Sequence, residues 1–175
     1  MNLAILKSST YLLSNILSAA IPFFLLPILT RSMTPEEYGQ VAMFQTLTVG
    51  LTAFIGLNAV GAANRKYYDV TNQNDLSQYN GVCLQVLVIS TLLLFVICFL
   101  LSKQLSNILL IPISWIYSAL IVTFLSFLVN FRLGQWQIRG EAYKFGTLQV
   151  TNSLSNMVLS VVFVVIFHLG AQGRV

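Results

Sequence analysis

Apolar residues run along this chain in five long stretches, and polar residues gather in the short segments between them. The stretches fall near residues 11–29, 38–63, 81–101, 111–131 and 147–169. A bilayer core about 30 Å thick takes roughly 20 apolar residues of helix, so each stretch is long enough to cross. None contains Asp, Glu, Lys or Arg, the side chains that lipid penalises most. The pattern predicts an all-α integral membrane protein with about five transmembrane helices. Lys7 and the small residues Ser18-Ala19-Ala20 imitate a signal peptide. The first stretch nevertheless continues to Leu29, and further spans follow, which favours a retained first helix.

Within these stretches the few polar residues recur at helical spacing. Gln149, Asn152, Ser153, Asn156 and Ser160 mark one face of the fifth span. Tyr11, Asn15 and Ser18 do the same in the first, Gln45, Thr48 and Thr52 in the second, and Thr123, Ser126 and Asn130 in the fourth. An amide turned to lipid is costly, so these faces point inward. Two readings follow: hydrogen bonds that hold the bundle together, or a hydrated cavity that accepts a polar substrate. Several helices contributing such faces at once favours the cavity, with Asn15, Gln45, Asn130, Gln149, Asn152 and Asn156 as its lining. Thr52, Gly56, Ala59 and Ala63 form a small-residue stripe suited to close helix packing. Pro22 and Pro27 each remove a backbone donor from the first span and predict a bend or a hinge there. The third span is almost wholly apolar after Gln85 and is expected to face lipid.

The connections carry their own signals. Thr34-Pro35-Glu36-Glu37 reads as a helix start, with Thr34 as N-cap, Pro35 in the first helical position and Glu37 closing a capping box. Glu36 and Glu37 then sit at the positive end of a helix dipole, a structural role. Residues 64–80 and 132–146 read as polar inner loops, the second holding Trp136, Tyr143 and Phe145 for the membrane boundary. Residues 102–110 read as a short outer connection.

Composition agrees with the pattern. Of 175 residues 57% are hydrophobic and 8% charged, where a soluble domain carries roughly 25% charged. The net charge of +4 is distributed as a topology signal. With the N-terminus inside, Lys7, Arg65, Lys66, Arg132, Arg139 and Lys144 lie inside, against Arg31, Lys103 and Arg174 outside. That arrangement points to anionic headgroups rather than nucleic acid. Cys83 and Cys98 lie on one predicted helix, roughly 22 Å apart along it, too far to bridge. The acids Glu36, Glu37, Asp69, Asp75 and Glu141 lie in loops or at helix ends, and His168 stands alone. Neither an enzyme constellation, a metal site, a Gly-rich phosphate loop nor a cofactor is expected.

Specific strings add a resemblance. Lys7-Ser8, Ile21-Pro22-Phe23, Leu26-Pro27-Ile28-Leu29-Thr30-Arg31 and Thr34-Pro35-Glu36-Glu37-Tyr38-Gly39 resemble the start of bacterial Wzx-type polysaccharide flippases. These belong to the multidrug/oligosaccharidyl-lipid/polysaccharide exporter superfamily. Looser matches follow at Arg65-Lys66-Tyr67-Tyr68-Asp69, Gln135-Trp136-Gln137-Ile138-Arg139-Gly140 and Gly170-Ala171-Gln172-Gly173-Arg174. The resemblance implies twelve or more helices in two bundles that rock about a central cavity. They would carry undecaprenyl-pyrophosphate-linked oligosaccharide across the cytoplasmic membrane for O-antigen, lipopolysaccharide or capsule synthesis. Residues 1–175 would then supply most of the first six-helix bundle without the second, a fragment expected to be poorly stable alone. Arg65, Lys66, Arg132 and Arg139 become candidates for drawing the pyrophosphate to the cytoplasmic mouth, or ordinary positive-inside anchors. Arg31 either caps the first helix or receives the pyrophosphate on the far side. Implied partners are the lipid-linked oligosaccharide, membrane lipids, and polysaccharide polymerase and chain-length regulator proteins. The alternatives are a drug/cation antiporter or a peptidoglycan-precursor flippase of the same superfamily, or a non-transporting membrane scaffold of polysaccharide assembly.

Overall fold

The computed structural model of the protein describes residues 3–69 and 73–175, and among these it contains helices and no strand. Five helical stretches are long and apolar enough to cross a membrane: Ile5–Ser32, Pro35–Asp69, Asn74–Leu100, Ile113–Ile138 and Ala142–Ile166. They coincide with the five apolar runs, and the chain is a multi-pass helical membrane protein.

The first helix, α1 (Leu3–Ser32), continues through Pro22 and Pro27. Each proline takes the donor from the carbonyl four residues back, but neither ends the helix. A tight turn leads to α2 (Pro35–Phe54), and its start has the capping box expected from the sequence. The Glu37 N–H donates to Thr34 Oγ1 at 3.2 Å, and the Thr34 N–H donates to Glu37 Oε2 at 2.8 Å.

The second span is not the continuous helix its hydropathy suggests. After α2 the chain passes through a tight 3-10 turn, Ile55–Asn58, and then resumes as α3 (Ala59–Asp69). Gly56, Leu57 and Asn58 have φ of 74°, 44° and 58°, a left-handed conformation that breaks right-handed helical bonding. The Gly56 N–H turns to Ser90 Oγ at 2.9 Å. A Cβ at Gly56 would overlap the Phe127 ring, so glycine is required both by conformation and by space. The bend or hinge expected at Pro22 and Pro27 falls within a helix that runs through both, whereas the second span breaks outright.

The remaining helices are α4 (Gln73–Leu100), α5 (Ser102–Leu109), α6 (Ile113–Ile138) and α7 (Ala142–Val161). A π turn, Val162–Ile166, and a 3-10 turn, Gly170–Gly173, follow. Three expected loops are therefore mostly helix. Within 64–80, α3 reaches Asp69 and α4 starts at Gln73; positions 70–72 lie outside the described residues. Segment 102–110 is α5, closed by Leu110 at φ 54°. Segment 132–146 is helical except around Arg139–Glu141. Hydropathy reports where lipid begins, whereas a helix ends where its hydrogen bonds are capped or a residue turns left-handed.

The helices form two compact units, one of residues up to Val41 with Arg139–Val175, the other Ala42–Ile138. In the first, α1 packs mainly on α7. Tyr11 meets Phe145 edge-on with ring centres 5.1 Å apart, and Ser14 occupies the space a Cβ of Gly146 would need. In the second, α4 and α6 pack with α3 and the Gly56 turn. Ala59, Ala63, Cys83 and Phe131 form its buried cluster, flanked by Val60, Tyr79 and Phe127. Gly56, Ala59 and Ala63 of the small-residue stripe are buried there, and Thr52 is exposed. Cys83 and Cys98 are both buried free thiols. Val88, Ile89, Leu92, Leu93, Val96 and Phe99 leave much of α4 exposed, as its almost unbroken apolar sequence anticipates.

Candidate functional site

In the first unit, polar side chains meet along the packing seam of α1 and α7. Gln149 Nε2 donates to Asn15 Oδ1 at 2.9 Å. Gln149 Oε1 and Ser18 Oγ are buried and have no hydrogen-bond partner among the described residues. Ser18 also owns the carbonyl whose helical donor Pro22 removes. Buried polar groups without partners are costly in an apolar medium, and inside a membrane such groups are met by neighbours or by water in a cavity. Ser14, one turn before Ser18, satisfies itself through the Thr10 carbonyl at 2.8 Å. Two of the six expected lining residues, Asn15 and Gln149, are thus brought together.

Farther along α7, Asn156 and Ser160 hold an arginine from beyond the helix. Arg174 Nη1 donates to Asn156 Oδ1 at 2.7 Å and to Ser160 Oγ at 2.5 Å. Burial pulls the Arg174 guanidinium below its ordinary range. The segment bearing it is anchored at the α1–α2 turn. Gly170 at φ 55° lies so close to Glu37 that a Cβ would overlap Glu37 Oε1. Asn152, between Gln149 and Asn156, is exposed. Arg31 is exposed in the last turn of α1 and does not cap it. The Ser32 and Thr30 hydroxyls bond back within the helix, to the carbonyls of Ile28 and Pro27 at 2.9 and 3.1 Å.

In the second unit, a small pocket of about 160 Å³ lies beside the Gly56 turn, lined by Thr52, Asn58, Thr123, Ser126, Phe127 and Asn130 among others. Asn130 therefore borders a polar recess, whereas Gln45 is exposed on α2 and does not line it. Of the basic candidates, Lys66 lies over the Tyr79 ring at 5.9 Å and Arg132 over the Trp136 ring at 4.8 Å. Arg65 is exposed. Arg139 is exposed in the first unit, in the turn before α7. Phe145, expected at the membrane boundary, is buried against Tyr11, while Tyr143 is exposed.

In the sequence Arg174 stands out as an outer charge and as the end of the Gly170–Arg174 string, without a stated partner, and Ser90 does not stand out at all. The signal for Arg174 was present: glycines at 170 and 173 just before it mark a turn able to fold the chain back. Ser90 carried none, because a hydroxyl in an apolar helix usually bonds its own turn. Ser90 does so too, through the Leu87 carbonyl at 3.0 Å.

Residues 5–173 match the family described as polysaccharide biosynthesis protein. An uncharacterised membrane protein of Haemophilus influenzae is 28% identical over 88% of this chain and 35% of its own length. A protein of the Lsg locus of the same organism is 26% identical over 88% of this chain and 36% of its own length. The chain thus spans about a third of the length of the curated relatives it matches. No solved structure matches it.

Proposed function

The chain belongs to the polysaccharide biosynthesis protein family, and on that premise we propose that the protein containing it moves lipid-linked oligosaccharide across the bacterial cytoplasmic membrane. The family match over nearly the whole chain carries this reading. It is supported by Gln149 Oε1 and Ser18 Oγ, polar atoms buried without partners among the described residues, in helices of membrane-spanning length. Such atoms suit a hydrated interior that exchanges hydrogen bonds with sugar hydroxyls.

The N-terminus is cytoplasmic, a placement supported by the distribution of basic residues. The substrate is an undecaprenyl-pyrophosphate-linked repeat unit for O-antigen or capsule, whose lipid tail stays in the bilayer. Arg65, Lys66, Arg132 and Arg139 attract the pyrophosphate at the cytoplasmic mouth. Asn15, Gln45, Asn130, Gln149, Asn152 and Asn156 line the path, and Arg31 lies on the periplasmic side. Residues 1–175 form most of one bundle, and a second bundle supplies the opposing half. A polymerase and a chain-length regulator act on the delivered unit.

Restoration of surface polysaccharide in a flippase-deficient bacterium that makes the matching repeat unit tests the reading. The full-length gene is expected to restore it and the 175-residue chain alone is not. Failure of the full-length gene despite good membrane expression would overturn lipid-linked glycan transport and favour a drug exporter or a scaffold. Rescue by the short chain would overturn the two-bundle arrangement.

A further inference from the structure

We propose that the pocket beside the Gly56 turn is a binding site for a monovalent alkali cation. The pocket measures about 160 Å³ and is lined by Thr52, Asn58, Thr123, Ser126 and Asn130 among others. All of its lining residues belong to the second unit, so α2, the Gly56 turn, α3 and α6 build it between them. In the sequence Thr52 and Asn130 fall on polar faces of different spans. The break in the second span brings them to one recess.

What this recess offers is oxygen lone pairs. The Thr52 hydroxyl donates to the Val49 carbonyl and the Thr123 hydroxyl to the Ala119 carbonyl, each at 2.6 Å. Both hydrogens are spent within their own helices, and each oxygen keeps only acceptor capacity. The backbone adds to this. In an unbroken helix the Thr52 carbonyl would accept the Gly56 N–H, but that N–H is turned to Ser90 Oγ. Ser126 and the Asn58 and Asn130 amides bring further oxygens. One turn farther along α3, Asn64 Oδ1 lies where a Cβ of Gly134 would press on it. It is buried without a partner among the described residues, so this seam is short of donors. A water has two hydrogens to give and satisfies two such oxygens. An alkali cation draws on the whole set together, as it does in a ring of carbonyls, and unwound segments of membrane helices supply carbonyls in this way. No Asp or Glu lines the pocket among the described residues. A neutral oxygen set suits one positive charge, whereas a calcium ion is ordinarily held by carboxylates. None of these contacts depends on the transport reading.

The test uses the complete gene product in phosphatidylcholine nanodiscs, kept in choline chloride and titrated with NaCl or KCl at constant ionic strength. A cation that binds the folded protein raises its Tm with concentration. Wild type is expected to show a saturable rise with sodium or potassium. The ion that reaches half-saturation at the lower concentration is the one the site prefers. Asn58→Gly keeps the left-handed backbone at φ 58° and removes the amide. Asn130→Ala removes the amide from α6. Each is expected to raise the half-saturating concentration by about tenfold or more, the worth of a lost contact to a charged group. Ser118→Ala removes a hydroxyl of α6 that bonds the Trp115 carbonyl and does not line the pocket. It is expected to titrate as wild type does.

A wild-type protein with no saturable response to either ion overturns the site. So does unchanged half-saturation in either amide variant, or an equal loss in Ser118→Ala. If Asn58→Gly does not fold, Asn130→Ala decides alone. A calcium titration that saturates below both alkali ions overturns the assignment to a monovalent cation.

Discussion

At Gly56 two demands meet on one residue. Its φ of 74° and the Phe127 ring where a Cβ would sit predict that Gly56→Ala destabilises the protein by more than the roughly 1–2 kcal/mol of left-handed strain alone. Thermal unfolding in detergent measures this. Adding Phe127→Ala should remove the part due to overlap and leave the part due to strain, so the two substitutions are not additive. Simple additivity would show that the ring does not press on the turn. The Asn15–Gln149 bond makes a different prediction. A double-mutant cycle to alanine should give a coupling of about 0.6 kcal/mol, typical of polar pairs in membranes. Replacing both by leucine is expected to preserve folding and to abolish surface polysaccharide in the complementation assay. A double-leucine variant that still transports would return this seam to a purely structural role.

The α1–α2 turn and the segment after the π turn are joined through one carboxylate. Glu37 accepts from Thr34 and lies against Gly170, so it caps α2 and abuts the chain that carries Arg174. Thr34→Ala is expected to cost about 1 kcal/mol as the loss of an N-cap. Glu37→Ala should also release the 170–174 segment, seen as faster hydrogen exchange there that Thr34→Ala does not produce. Equal exchange in the two variants would mean that Glu37 only caps. Gly170→Ala is expected to be worse than either single loss, since φ of 55° and overlap with the carboxylate act together. The prolines of α1 show how weakly one residue type commands an element. Pro22 and Pro27 remain within a continuous helix, and the helix that breaks contains no proline beyond its first residue.

For the molecule as a whole, five spans and the bias of basic residues predict which ends share a side. With Cys83 and Cys98 replaced by alanine, Lys103→Cys should react with an impermeant thiol reagent added outside intact cells. Arg139→Cys should react only after permeabilisation. The reverse pattern would invert the proposed orientation, and with it the roles given to Arg65, Lys66, Arg132 and Arg31. Both native cysteines are buried, so they should stay unreactive toward an aqueous reagent until the protein unfolds.

The apolar runs by themselves determined the all-α membrane class and the number of spans, because the bilayer's thickness and its penalty on charge act on every residue locally. The capping box at Thr34 and Glu37 was legible for the same reason, as its partners lie three residues apart. Only the tertiary structure decided that the second span breaks at Gly56, since the acceptor of its N–H is Ser90, 34 residues away. The same holds for the partners of the polar residues. Helical spacing grouped Asn15 with Ser18 and Gln149 with Asn156, but it could not say that Gln149 bonds Asn15 while Asn156 orients Arg174. Periodicity ranks the faces of one helix, and which side chains meet across a seam depends on how two helices approach each other.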